Sequence, residues 1–513
     1  MRSGKQPSIV IVGSGFSGIG LAIRLRRSGF TNLTILEKAH DIGGVWRDNT
    51  YPGAACDAPS HLYSYSFEPN PDWSRRFAEQ PEILRYLRHC ARKYDIVRHV
   101  RTGAEVTAAR FDAASARWVL TIEGADSMAA DILVCACGQL SRPAIPDIPG
   151  LNSFAGNIFH SARWEHSLDL TGQRVAVIGN GASAIQFVPR IAERARSVTV
   201  FQRQAHWISP KPDYQYPRLR KVANRWMPLL QKLSRLVVFV WFEAILNPML
   251  VSPLGRMMLS WPIRVWCRWN LRRIADIRVR KRLTPSYEVG CNRILTSNDY
   301  YDTLNRADTA VVTEAIERIE SGALITADGK AHAAETIILA TGFRSHDFVA
   351  PIRINGPSGL DLNTVWSERP YAYLGLTVPG FPNLFLMYGP NTNVGSGSIV
   401  HMLESQMGYI VHAAQWIRRT GYLEVRPEAM VRFDDAIQNR LATTVWNTGG
   451  CNSWYIAKTT AGPANTNNWP GSMLGYRLRT RRLRGRDYRS RPPASPEFRA
   501  ILSPPDGDVV GRS

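Results

Sequence analysis

The first hydrophobic run in the chain, Ser8 to Val12, is continuous and β-branched rather than alternating. That is the pattern of a parallel strand buried on both faces. It stops at Gly13-Ser14-Gly15-Phe16-Ser17-Gly18, and Ile19 to Leu25 then resumes as an apolar helical stretch. A second short run, Leu33 to Leu36, ends on Glu37 and Lys38. Strand, glycine turn, helix, strand and terminal carboxylate together predict a dinucleotide-binding unit. The glycines let backbone N–H groups close on a pyrophosphate at a helix N-terminus. Glu37 can then accept hydrogen bonds from a ribose.

The pattern occurs twice. Arg174 to Ile178 predicts a strand, Gly179-Asn180-Gly181-Ala182-Ser183-Ala184 opens a helix that runs through Ile191, and Val198 to Phe201 predicts the next strand. This strand ends on Gln202 and Arg203. A carboxylate at this register favours a free ribose hydroxyl, whereas an arginine accommodates a 2′-phosphate. The first unit therefore reads as a site for FAD or NAD and the second as a site for NADP. Ile132 to Gly138 and Thr336 to Gly342, apolar runs that end on glycine, predict strands returning to the two units. Two dinucleotide units in one chain imply electron traffic between a nicotinamide and a flavin.

Between them the periodicity turns helical. Pro212 to Val279 is rich in Trp, Leu, Met and Arg, and Leu236 to Gly255 is 20 residues long with only Glu243 charged. That length matches a membrane span, but Pro248, Pro253 and the glutamate argue against spanning. Helices that pack on the core and wall a pocket are the first reading, and peripheral membrane contact through residues 236–255 is the second.

The fold class expected is α/β: two Rossmann-like dinucleotide-binding domains with a helical insertion. The first domain takes residues 1–145 and 345–484, a linker takes 146–164, the second domain 165–211 and 280–344, and the insertion 212–279. The tail, 485–513, has five prolines and no periodic apolar face, and is expected to be disordered.

Composition narrows the class. The 513 residues are 44% hydrophobic and 20% charged, which excludes a disordered scaffold, a collagen-like rod and a disulfide-stapled miniprotein. The net charge of +21 could attract nucleic acid, anionic lipid or a polyanionic cofactor. Part of the excess is local, because Arg477 to Arg491 holds eight Arg and one Asp. No nucleic-acid recognition motif accompanies it. Seven scattered cysteines, with neither a Cys-x-x-Cys nor a metal-spaced cluster, predict reduced thiols, a cytoplasmic protein and no bound metal. Membrane association is the second reading of location.

Three further stretches resemble the class B flavoprotein monooxygenases, and within them the Baeyer–Villiger monooxygenases. Gly43-Gly44-Val45-Trp46 through Tyr51-Pro52-Gly53 to Asp57 matches the family's GGxWxxxxYPGxxxD stretch. Phe154 to Trp164 matches FxGxxxHxxxW, with Glu165 where a Pro or Asp is usual. Gly290-Cys291-Asn292-Arg293 resembles the segment that supplies the family's active-site arginine, except that Asn292 stands where a lysine is common. Gly389-Pro390-Asn391-Thr392 and Trp469-Pro470-Gly471 are similar to further landmarks, so the resemblance runs from about residue 8 to 484.

The resemblance implies FAD, NADP(H) and molecular oxygen, with a ketone converted to an ester or lactone via a C4a-peroxyflavin. It implies that Arg293 and Asp57 are catalytic. Cofactor binding is expected at Gly13, Gly15, Phe16, Ser17, Gly18, Glu37, Lys38, Gly44, Val45, Trp46, Asp57, Tyr63, Gly179, Gly181, Ala182, Ser183, Arg203 and Asn391. His160 and Trp164 are expected to act in domain movement. The Trp- and Leu-rich insertion points to a bulky, apolar ketone.

The chemistry explains the pair. A permanently charged, planar donor suits an oxyanion, and a cation beside a flavin needs a carboxylate partner. An amine- or sulfide-oxygenating flavoenzyme is the nearest rival and needs no such pair. A disulfide reductase needs a redox dithiol, and Cys135-x-Cys137 has the wrong spacing. A binding protein that merely retained the nucleotide folds would not need Asp57 and Arg293.

Overall fold

The computed structural model describes residues 6–459 and 462–492. Two five-stranded parallel sheets organise it. The first runs in the order Leu384–Leu386, Ile132–Cys135, Ile9–Val12, Leu33–Leu36, Val100–Arg101. Ile9 pairs with Leu33 on one side and with Ile132 on the other. The second runs Thr309–Val312, Ser197–Phe201, Arg174–Ile178, Thr336–Leu339, Asn157–His160. In each sheet the central strands are buried on both faces, so their continuous apolar runs need no alternation. The return strands end at Cys135 and Leu339, and three residues beyond each the chain turns at a glycine, Gly138 at φ +72° and Gly342 at φ +81°.

Helix Phe16–Arg27 follows the first glycine turn and packs on the 22-residue helix Ile399–Thr420, which is buried over most of its length. The first sheet thus gathers chain from both ends of the sequence. Its largest core continues through these helices, while a smaller core forms around the second sheet. Smaller sheets accompany them, one pairing Val106–Asp112, Arg117–Ile122 and Ala125–Ala130 antiparallel and adding Arg353–Asn355 in parallel.

The insertion is a run of helices. Arg218–Trp226 leads into Pro228–Trp241, which continues through a π-turn at Phe242–Leu246 to Val251, and Pro253–Leu271 follows after Ser252. Ser252 caps this last helix by accepting from the Gly255 N–H.

Three expectations are corrected. Residues 157–160, assigned to a linker, form an edge strand of the second sheet, with Ile158 opposite Ile337. Two apolar residues in four gave too short a pattern to betray it. The tail is not structureless from its start: Tyr488–Arg489 pairs with Glu424–Val425 and Tyr488 is buried. One aromatic anchor outweighs the polar composition around it; residues 493–513 lie outside the described residues. Finally, not all thiols are reduced, since Cys291 and Cys451 form a disulfide and the other five are free. Their separation of 160 residues hid the pairing; the fold brings them together where the Glu288 N–H donates to the Gly449 carbonyl.

Candidate active site

The first glycine turn is shaped by close approach. Gly13 sits at φ +104°, and a Cβ there would lie 2.6 Å from the Ala136 carbonyl oxygen. A Cβ on Gly18 would lie 1.9 Å from the Gly13 oxygen. Gly15 has no such crowding: its nearest neighbour is the Gly44 Cα, at 3.7 Å, so the turn stays open on that side. Glu37 is buried at the end of the second strand. One of its carboxylate oxygens accepts from the Ser14 N–H and hydroxyl, at 3.0 and 2.7 Å. The other accepts from the Ala39 N–H and pairs with Arg47, both at 3.0 Å. Burial alone would lower the Arg47 pKa, but Asp48 and Glu37 outweigh it and hold it above its ordinary value. Phe16, Trp46 and Tyr63 wall the turn edge to face, with ring centres 5.1 and 5.7 Å apart, and the Trp46 indole donates to the Tyr63 hydroxyl. Ser17 is buried, Val45 begins the short helix beside the turn, and Lys38 is exposed. A glycine cradle at a helix N-terminus, a buried carboxylate one strand away and an aromatic wall fit an adenine dinucleotide such as FAD.

The second turn repeats this geometry. A Cβ on Gly179 would lie 2.3 Å from the Ala340 oxygen, whereas one on Gly181 would meet nothing within 4 Å. Ala182 and Ser183 lead into helix Ala184–Ile191. The Asn180 amide donates to the Gln202 side-chain oxygen and the Gln204 backbone carbonyl, and the Gln202 amide donates to the Arg282 carbonyl. Arg203 is exposed at the strand end. Asn292 is buried and donates to Gln204 and to the Asn452 carbonyl, so it is spent on the protein.

Between the turns lies the bidentate pair the sequence pointed to. Arg293 Nε donates to one oxygen of Asp57 at 2.6 Å and Nη2 to the other at 2.9 Å. Their side chains are 29% and 30% exposed, so the pair is within reach of solvent. Burial would raise the Asp57 pKa; the Arg293 charge, with Lys211 behind it, holds it below the usual carboxylate range. Asp57 in turn pushes the Arg293 pKa up. Burial raises both neighbouring phenols, with Tyr455 pushed up to about 12, so they stay protonated donors. Tyr388 donates to Asn393 at 2.7 Å. Lys211 is lowered chiefly by burial.

The YPGAACD stretch does more than present Asp57. The Tyr51 hydroxyl donates to Gln186 at 3.0 Å, and the Gln186 amide donates to the Ala55 carbonyl at 3.1 Å. Gly53, at φ +79°, lies against the Gln186 backbone. This stretch therefore docks the first nucleotide unit on the helix of the second. A cavity of about 180 Å³ opens there, bounded by Ala55, Gln186, Arg190 and Lys211.

Other expected residues sit elsewhere. His160 is buried, its Nδ1 accepts from the Ala162 N–H, and burial pulls its pKa down to about 4. Trp164 packs between Phe159 and Phe187, on the second sheet's side. Asn391 spends its amide on the Asn465 and Asn468 carbonyls and shapes a loop. Sequence reasoning missed Tyr388, Tyr455, Lys211 and Gln186. Only Gln186, one turn into a fingerprint helix, carried a signal.

Two dinucleotide-binding α/β units in one chain define a protein suited to electron transfer between two such cofactors. Residues 6–250 match the flavin-binding monooxygenase-like family. The chain is 39% identical over 502 residues to a Baeyer–Villiger monooxygenase of Streptomyces coelicolor, covering 97% of this chain and 95% of that one. A structure of an oxidized steroid monooxygenase bound to NADP superimposes with a TM-score of 0.81 at 30% identity, covering 93% of this chain and 97% of that one. OTEMO in complex with FAD and NADP gives 0.80 at 27% identity with the same coverage. The chain belongs to the Baeyer–Villiger monooxygenase family.

Proposed function

We infer that the protein binds FAD at Gly13–Gly18 and NADPH at Gly179–Ser183, and with molecular oxygen converts a ketone to an ester or lactone. The bidentate Asp57–Arg293 pair between the two turns carries this reading. FAD, reduced by NADPH, supplies the oxygen-activating chemistry; the chain supplies binding, orientation and charge.

The N–H groups that open helix Phe16–Arg27 would hold the pyrophosphate of FAD, and Glu37 would accept from its ribose. Because Glu37 already accepts from four donors, a ribose hydroxyl shares that carboxylate with Arg47 or displaces it. Arg203 would receive the 2′-phosphate of NADPH. Asp57 uses two N–H groups of the Arg293 fork. The remaining donors of the guanidinium face the ketone oxygen, where negative charge develops during oxygen insertion. Asp57 thereby fixes the fork, and Tyr388 and Tyr455 keep neutral hydroxyls beside it. The apolar insertion favours a bulky ketone over an acetone-sized one, and its residues 236–255 make a peripheral membrane contact.

Flavin reduction needs only nicotinamide placement, whereas oxygen insertion needs the cation. Arg293→Ala should therefore still bleach its flavin with NADPH but form no detectable ester, losing at least about 10²–10³ in rate. Asp57→Ala should weaken ester formation less completely. Stopped-flow absorbance follows the first half and chromatography the second. Ester formed by Arg293→Ala at the wild-type rate would overturn the assignment in favour of amine or sulfide oxygenation.

A further inference from the structure

Helix Pro228–Val251 is 24 residues long and apolar enough to cross a membrane, yet it is fastened along one side. Gln231 donates to the Asn70 carbonyl and to His61. Arg235 donates to the His61 and Ser64 carbonyls at 2.9 Å and faces Glu404 at 3.7 Å. The Phe239 ring packs, tilted, against that of His401. The Met473 N–H donates to Glu243 at 2.8 Å. Positions 231, 235, 239 and 243 recur every four residues, so they form one face of the helix. A spanning helix would have to strand these polar groups in hydrocarbon.

The opposite face is apolar and open. Leu229, Leu233 and Val237 are 74%, 53% and 60% exposed. The next helix, Pro253–Leu271, also exposes apolar side chains, Met257 at 73% and Trp261 at 68%, one turn apart. Isolated exposed apolar residues are ordinary, but two consecutive helices presenting them are not. Charge accompanies the stripe: from Arg218 to Arg282 the chain has fifteen Lys and Arg against Glu243 and Asp276 alone. Lys221, Lys232, Arg264, Arg268 and Arg272 have no carboxylate partner among the described residues. A second copy of this chain would bring cationic faces together, which like-charge repulsion opposes. A bilayer rich in anionic lipid satisfies both features.

A second observation lies within the stripe. A cavity of about 340 Å³ opens there, with Leu230, Leu233 and Val237 on its apolar wall. Arg76 and Arg220 also line it; Arg220 Nη2 donates to the Ser234 hydroxyl of this helix, while its buried Nε has no partner among the described residues. Apolar side chains beside guanidinium groups in one cavity suit a lipid chain and its phosphate.

We propose that the outward face of helices Pro228–Trp241 and Pro253–Leu271 docks on an anionic phospholipid surface, lying in its plane rather than crossing it. This deepens the peripheral contact read above and rests on it, with the apolar ketone drawn from that lipid phase. Vesicle binding is read without turnover, so this proposal and the oxygenation reading can fail separately.

The flavin-loaded full chain should cosediment with vesicles containing about a third phosphatidylserine and be released as salt rises. It should bind phosphatidylcholine vesicles at least tenfold more weakly. The double variant Met257→Asp/Trp261→Asp should lose at least tenfold in binding to the anionic vesicles, with flavin content and turnover of a water-soluble ketone unchanged. Brominated lipid should quench wild-type tryptophan fluorescence more than that of Trp261→Phe, a change too mild to unfold an exposed site. Three results would overturn the proposal: no cosedimentation, equal binding to neutral and anionic vesicles, or a dimer in gel filtration that the double variant dissociates.

Discussion

Arg203 and three buried histidines make the clearest residue-scale cases. Arg203 is the charge at the end of the second fingerprint strand, and Asn292 adds none. Losing one charge-assisted contact of about 1.5–3 kcal/mol, Arg203→Ala should raise the KM for NADPH roughly 10- to 100-fold. The KM for NADH should barely move, and equal effects on both coenzymes would refute the role. His61, His160 and His401 are buried, and burial pulls each pKa down to about 4. The unfolded chain takes up these protons near pH 6.5, and the folded one does not until about 4. Below about 6.5 the unfolded state therefore binds more protons, and stability falls with pH by roughly 1–3 kcal/mol per histidine across that window. Melting temperature should be level above pH 7 and drop steadily from 6.5 toward 4.5; a flat profile would contradict this.

At the scale of elements, short segments do more than their length promises. Tyr488 is 3% exposed, and its hydroxyl meets those of Thr377 and Tyr409 at 3.0 and 2.8 Å. Asp487 accepts from the Tyr373 hydroxyl at 2.8 Å. This two-residue strand clamps the C-terminal chain against the helix Ile399–Thr420, and so braces the first nucleotide unit. Tyr488→Ala should cost about 3–5 kcal/mol, the range for deleting a buried aromatic. Denaturant unfolding followed by flavin fluorescence would measure it, and a loss under 1 kcal/mol would mean that the strand merely rests on the surface. The disulfide acts on a loop in the same way, tying Cys451, four residues before Tyr455, to Cys291, two residues before Arg293.

Over the whole molecule, catalysis depends on how the two units meet. A side chain at Gly53 would lie 2.7 Å from the Gln186 oxygen, in a left-handed backbone that costs roughly 1–3 kcal/mol without glycine. Gly53→Val should leave FAD bound, because the first glycine turn is untouched, but lower the yield of ester per NADPH oxidised severalfold. Comparing NADPH consumption with product by chromatography tests this, and unchanged coupling would show that the contact is passive. The chain by itself determined the two nucleotide units, since each is written in about 30 contiguous residues whose turn, helix and strand leave one solution. Asp57 and Arg293 were marked by the resemblance of their two short stretches to family motifs. Only the tertiary structure decided that these two side chains, 236 positions apart, form a bidentate pair. It likewise decided that Tyr388 and Tyr455 flank the pair, that Cys291 meets Cys451, and that residues 157–160 and 488–489 are strands. Those contacts depend on which distant segments share a core, and no periodicity within either partner encodes the other.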